Sequence, residues 1–270
     1  MVKRTWFTLA MVAIGLTVLR LVLAPLFELI PEEAYYWTYS QHPALGYFDH
    51  PPMVAWSIRV GTFLCGNTEL GVRLMNILLW IATGALVVLT ARRWFTETVA
   101  IGAGLLFALL PVFVGTGFIV TPDGPLLFFW ALCLYAVSRA VQGGKLRDWL
   151  LAGIGIGGGL LSKYYAIVLV PSLFWFLLLS PQYRRWLWRW QLWLALLIGL
   201  LLFTPVIWWN HEHQWASFVF QSGRTVDQKG TIAGRVSEFW LMQLAVVTPL
   251  GLALMGWTGW RAIQRGWFAR

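Results

Sequence analysis

The residues best suited to chemistry fall into four short clusters. The densest is Pro31-Glu32-Glu33-Ala34-Tyr35-Tyr36-Trp37, followed by Gly46-Tyr47-Phe48-Asp49-His50-Pro51-Pro52. Two adjacent carboxylates can divide into a general base and a group that orients it or holds a cation. Asp49 and His50 offer an oxygen and an imidazole as ligands, with two prolines fixing the backbone behind them. A plainer role competes for Glu32 and Glu33, since acids favour the first turn of a helix. For His50 taken alone, a satisfied structural histidine is the simpler reading.

The second cluster is Thr121-Pro122-Asp123-Gly124-Pro125, with Asp123 at the start of the next helix, where capping alone would account for it. The third is Ser162-Lys163-Tyr164-Tyr165. A lysine in an apolar stretch is costly and calls for a partner or an anionic ligand, with snorkelling as the alternative. The fourth is Trp209-Asn210-His211-Glu212-His213-Gln214-Trp215, followed by Ser217-Phe218 and Gln221-Ser222-Gly223-Arg224. His211 and His213 are two apart, so they would not share a helix face, and their spacing is a weak metal signal. Arg224 suits phosphate recognition by forked hydrogen bonds.

The elements that position these clusters are membrane helices. Of 270 residues 59% are hydrophobic and 11% charged, against about 25% charged in a soluble domain. One soluble core of this size cannot hide so much apolar surface. The 19 tryptophans fit membrane interfaces. A net charge of +9 could suggest nucleic acid, but the basic residues sit in short clusters between apolar runs, which fits loops facing anionic lipid. Cys65 and Cys133 have no metal-ligand spacing and read as two buried thiols.

Apolar runs long enough to span a membrane are expected at Thr5–Leu26, Leu70–Ala91, Val99–Ile119, Pro125–Val141, Gln191–Trp209 and Phe239–Trp257. Trp149–Leu179 is apolar but interrupted at Ser162-Lys163-Tyr164, and reads as two short helices meeting at Lys163. The first span reads as uncleaved, because no small-residue cleavage site follows it. The expected fold is therefore all-α: a polytopic transmembrane helical bundle of about eight spans, two of them short, within a single domain over residues 1–270.

Placing the N-terminus in the cytoplasm puts 13 of the 20 Lys and Arg residues on that side. The acids, not used in that assignment, then sort nine to two, with only Glu97 and Asp148 inside. Two long outer loops result, residues 27–69 and 210–238. Both are rich in aromatics and Pro, which points to short interfacial helices rather than disorder. All four clusters fall on this outer face. Together they supply carboxylates for base catalysis, cations for a phosphate and aromatic rings for sugar or lipid, a set that fits a lipid-phosphate ligand entering sideways from the bilayer.

The run Glu32-Glu33-Ala34-Tyr35-Tyr36-Trp37 with Gly46-Tyr47-Phe48-Asp49-His50-Pro51-Pro52 resembles the bacterial membrane glycosyltransferases related to protein O-mannosyltransferases and lipid A aminoarabinose transferases. Thr121-Pro122-Asp123, Ser162-Lys163-Tyr164 and Trp209-Asn210 with Ser217-Phe218 follow in the same order, so the resemblance runs from about Thr5 to Trp257. It implies an inverting C-type enzyme that moves a sugar from a polyprenyl-phosphate carrier to a glycan, lipid or protein acceptor, on the periplasmic face of the inner membrane. By carry-over, Glu32 is the candidate base, in a position where the family more often has Asp. The longer side chain leaves the choice between Glu32 and Glu33 open. Asp49 and Asp123 complete the candidate catalytic carboxylates. His50, Lys163, Tyr164, Arg224, Tyr36 and Gln221 are the candidate substrate-binding residues. A divalent cation could share the charge balance, with Asp49, His50 and His211 as its candidate ligands.

Family members are usually longer, so the chain reads as lacking their usual C-terminal part. Two other functions stay in view. A non-catalytic relative serving as a membrane subunit would tolerate loss of the carboxylates, which are present. A lipid-linked-sugar transporter would want polar residues through the midplane, where the spans offer little beyond Arg20 and Lys163.

Overall fold

The computed structural model describes residues 2–226 and 231–264. Among them the chain is helical throughout, with thirteen α-helices and no strand. The elements are α1 (Val2–Leu23), α2 (Pro31–Gln41), α3 (Met53–Cys65), α4 (Glu69–Trp94), α5 (Glu97–Leu109), α6 (Pro111–Thr116) and α7 (Asp123–Gly143). They continue with α8 (Leu146–Ser162), α9 (Leu169–Leu179), α10 (Trp190–Glu212), α11 (Ala216–Val226), α12 (Ile232–Val247) and α13 (Pro249–Gln264). Four of these, in α1, α4, α7 and α10, are individually long and apolar enough to cross a membrane. This is a multi-pass membrane protein.

Shorter pieces replace two of the expected straight spans. Val99–Ile119 is divided at Pro111, where Leu110 is extended (φ −64°, ψ 131°) and α6 starts afresh. Phe239–Trp257 is divided at Thr248, which takes φ +67° just before Pro249. Proline has no N–H and clashes with the preceding turn, so each break sits where the ladder would fail. The interruption at Lys163 is where the sequence places it. α8 ends at Ser162, Lys163 is extended (φ −158°, ψ 138°), and a 3-10 turn over Tyr164–Val168 leads into α9.

The densest core lies between α7, α8 and α10. Cys133, Ala136 and Ala140 of α7 meet Trp149, Ala152 and Ile156 of α8, with Ala195 of α10 against them. Water supplies no hydrophobic drive between helices in lipid, so close approach of small residues must hold them together. A Cβ on Gly155 would stand 2.7 Å from the Cys133 amide nitrogen, so only glycine lets α8 lie this near α7.

Charges gather at the two ends of the bundle. At one end Arg92 pairs with Glu97 at 3.0 Å and Arg139 with Asp148 at 2.9 Å. These are the two acids assigned to the inner face by charge counting. The other end joins the C-terminus of α1, the N-termini of α4 and α7, the break at Lys163 and the C-terminus of α10, and it carries the candidate site.

Candidate functional site

The first-loop motif folds as two helices with a turn between. Pro31 occupies the first turn of α2, where its missing N–H costs nothing. Glu33 reaches back to accept from the Ile30 amide at 3.2 Å, which caps the helix start. Its carboxylate does much more. Arg73 of α4 donates from Nε to Oε1 at 3.0 Å and from Nη2 to Oε2 at 2.5 Å, and the Val120 amide donates to Oε1 at 3.0 Å. Four donors fill the four acceptor sites of one carboxylate. The remaining Arg73 protons go to the carbonyls of Ala24, Phe27 and Glu28. This fully buried pair ties the end of α1, the start of α2, α4 and the approach to Asp123 into one unit.

Glu32, one residue earlier, is exposed and pairs with no cation among the described residues. Burial raises the Tyr36 hydroxyl well above the ordinary phenol range, and the charges of Asp49, Glu32 and Asp123 add to the rise. Three of the four candidate carboxylates therefore share one electrostatic neighbourhood. Tyr36 was expected to meet substrate, but its ring is 3% exposed and packs with Val54, Ile58, Val72 and Val120. Its place is in a small core beneath the site.

Asp49 is held from both sides. Tyr39 donates its hydroxyl to Oδ1 at 2.7 Å, Tyr35 is hydrogen-bonded to Tyr39 in turn, and the Gln221 amide donates to the Asp49 carbonyl. Burial first, then the bonds with Tyr35 and Asp49 and the Asp49 charge, push Tyr39 far above an ordinary phenol, so it remains a donor. Tyr39 also stacks on Tyr47 at 4.1 Å, with the planes 7° apart. His50 Nε2 lies 3.9 Å from Asp49 Oδ2.

The other clusters close around this loop. Lys163 Nζ meets Asp123 Oδ1 at 2.8 Å, joining the break after α8 to the first residue of α7. A Cβ on Gly124 would overlap Asn76 Oδ1, so the glycine after Asp123 is what lets α7 begin against α4. Tyr164 shares a 2.7 Å hydrogen bond with Ser217 of α11. A Cβ on Gly46 would stand 3.0 Å from the Trp209 indole, so the first loop rests on the end of α10. Asn210 turns the chain from α10 into α11, accepting from the Phe218 amide by its side chain and from the Trp215 amide by its carbonyl. A cleft of about 270 Å³ opens between these parts, lined by His50, Lys163, Tyr164, Tyr165, Ile167, Gln221 and Ser222.

Of the candidate metal ligands, Asp49 and His50 lie together. His211 packs near Trp208 and Trp215, and His213 stacks on Trp209 at 4.0 Å. Among the described residues no group of three or more His, Cys, Asp and Glu comes together. A resident catalytic zinc takes three protein ligands, so Asp49 and His50 do not fit one. The backbone of Arg224 belongs to α11, and its side chain lies outside the described residues. Sequence reasoning missed Arg73 and Tyr39. A charged residue just inside a span is a usable signal, because it needs a partner. Nothing in the spacing marks Tyr39 out from its neighbouring tyrosines.

The chain is similar in sequence to known glycosyltransferases. The chain is 30% identical to a lipid A galacturonosyltransferase of Rhizobium johnstonii, over 94% of this chain and 54% of that protein. It is 27% identical to an undecaprenyl phosphate-alpha-4-amino-4-deoxy-L-arabinose arabinosyl transferase of Pseudomonas paraeruginosa, over 99% of this chain and 52% of that protein. A lipopolysaccharide core galacturonosyltransferase of Rhizobium johnstonii is 27% identical over 80% of this chain and 43% of its own length. The chain thus spans about half the length of these curated relatives. No solved structure matches it. The dolichyl-phosphate-mannose-protein mannosyltransferase family model matches residues 49–209, from Asp49 through Trp209. The chain belongs to that family.

Proposed function

We propose that this chain carries the catalytic end of a glycosyltransferase, which moves a sugar from a polyprenyl-phosphate donor to an acceptor hydroxyl on the periplasmic face of the inner membrane. The observation that carries the reading is the division of the Glu32–Glu33 pair. Glu33 is saturated by Arg73, Ile30 and Val120, while the exposed Glu32 beside it is paired with no cation among the described residues. Glu32 takes the proton of the acceptor hydroxyl. That oxygen attacks the anomeric carbon as the bond from this carbon to the phosphate oxygen breaks, and polyprenyl phosphate leaves with the bonding pair.

The leaving phosphate needs cations placed before the reaction begins. Lys163 lines the cleft and spends one donor on Asp123, which leaves two of its three for phosphate oxygens. Asp123 and the extended backbone at Lys163 fix the ammonium in place. Asp49, held by Tyr39 and Gln221, positions His50 at the cleft wall. The mechanism needs no step through a metal. The lipid A and lipopolysaccharide acceptors in the relatives' names favour a lipid-anchored glycan as acceptor. The excess of basic residues at the opposite end supports a cytoplasmic N-terminus and a periplasmic site.

The test is transfer of radiolabelled sugar from polyprenyl-phosphate donors by the protein in lipid nanodiscs. Turnover with an outer-membrane glycolipid acceptor is expected. Donor binding without turnover on any acceptor would overturn the enzyme reading in favour of a non-catalytic subunit. Lys163→Met is expected to raise KM for the donor by about 10- to 100-fold, the scale of one lost charged hydrogen bond, with a smaller effect on kcat. An unchanged KM would remove Lys163 from the phosphate site.

A further inference from the structure

A second cavity lies far from the site, at the end of the bundle that carries Arg92 and Glu97. It is a side-facing groove of about 390 Å³ between α1, α4 and α5. Its walls include Ala10 and Ala13 of α1, Ile81 and Ala85 of α4, and Gly104 and Ala108 of α5. The indole N–H groups at its two ends are engaged elsewhere, Trp80 with the Phe113 carbonyl at 2.9 Å and Trp6 with Glu97 at 3.4 Å. Both rings therefore turn hydrocarbon toward the groove, and such an apolar space is not one that water fills.

Length and charge identify the occupant. From Ile81 to Arg92 the groove runs 11 residues along α4, about 16 Å at the helical rise. That is close to half of the roughly 30 Å hydrocarbon core of a bilayer, the reach of one acyl chain from one leaflet. At the end of the groove near the start of α1, Arg92 lies over the Trp6 ring at 5.3 Å and shares Glu97 with it. Among the described residues Glu97 is the acid paired with Arg92, and it engages Nη2 of that guanidinium. Lys3 is exposed one turn before Trp6, on the stripe that continues through Ala10 and Ala13 into the groove.

We infer that this groove binds one acyl chain of an anionic phospholipid, with the lipid phosphate held between Lys3 and Arg92. The site is separate from the proposed sugar-transfer site and does not depend on it. It would anchor α1, which is otherwise little buried, through a lipid that bridges it to α4 and α5.

Native mass spectrometry of the protein released from micelles supplied with phosphatidylglycerol or phosphatidylcholine tests this. The wild type is expected to retain one phosphatidylglycerol about fivefold or more in preference to phosphatidylcholine, the scale of one basic side chain at an anionic headgroup. Lys3→Gln with Arg92→Gln should erase the preference while some lipid stays bound. Ala10 and Ala85 are exposed, so Ala10→Phe or Ala85→Phe should fold and fill the groove, removing the adduct. Equal retention of both lipids by the wild type, or an adduct undiminished by either Phe variant, would overturn the proposal. Dimer masses lost in Ala10→Phe, with no lipid adduct in the wild type, would give the groove to a second copy of the chain.

Discussion

Glu32→Gln should lower turnover by about 10²- to 10⁴-fold, the range contributed by a positioned general base, with donor affinity unchanged. Glutamine keeps the volume and the polar contacts of the side chain and removes only its ability to take a proton. The neighbouring change Glu33→Gln should behave differently. It withdraws charge from a buried carboxylate whose four acceptor sites are filled by Arg73, Ile30 and Val120. Its effect should appear first as lost folded protein and only through that as lost activity. Asp49→Asn separates the third carboxylate. Its carbonyl oxygen can still accept from Tyr39, so a loss here reports the charge beside His50 rather than the hydrogen bond. Single-turnover transfer with saturating donor measures all three. If Glu32→Gln retained near wild-type turnover while Glu33→Gln, properly folded, lost it, the two acids would exchange roles and the base assignment would fall.

The pairing that decides between the two acids was not legible in the sequence, because the partner that saturates Glu33 stands 40 residues away on α4. Capping by an acid after Pro31 was legible, and Glu33 does cap α2, yet the cap is the smaller part of its work. The break at Lys163 and the sorting of Glu97 and Asp148 away from the other acids followed from local apolarity and charge alone. The prolines show where local reasoning falls short. Pro111 ends α5, whereas Pro205 sits inside α10 without ending it. Within α10 the Leu201 carbonyl loses its amide partner to Pro205 and accepts the Thr204 hydroxyl at 2.6 Å instead. Of the two histidines in the fourth cluster, His213 stacks on Trp209 and His211 packs near Trp208 and Trp215, contacts that no spacing in the sequence announces.

Arg73→Met is the change expected to cost the most stability, about 3–5 kcal/mol, the penalty for stranding one member of a buried ion pair. The side chains of both partners are almost wholly buried, at 2% and 0% exposure. All five guanidinium protons are used, two on Glu33 and three on the carbonyls of Ala24, Phe27 and Glu28. Lysine has three donors in no fixed fork, so Arg73→Lys should lose nearly as much as Arg73→Met. Unfolding of the purified variants in mixed micelles measures the difference. The double change Arg73→Met with Glu33→Leu removes both charges and should recover a large part of the stability, since an apolar pair often replaces a buried ionic one at little cost. Activity should not return with it. Glu33 also holds the Val120 amide, three residues before Asp123, and Arg73 holds the end of α1. An apolar pair can fill that space, but it has nothing with which to fix α2 against the start of α7 to within a hydrogen bond. A double variant that recovered both stability and transfer would make the pair a matter of packing alone. Recovery of stability without transfer would make it the clamp that fixes α2, and Glu32 on it, against the approach to Asp123.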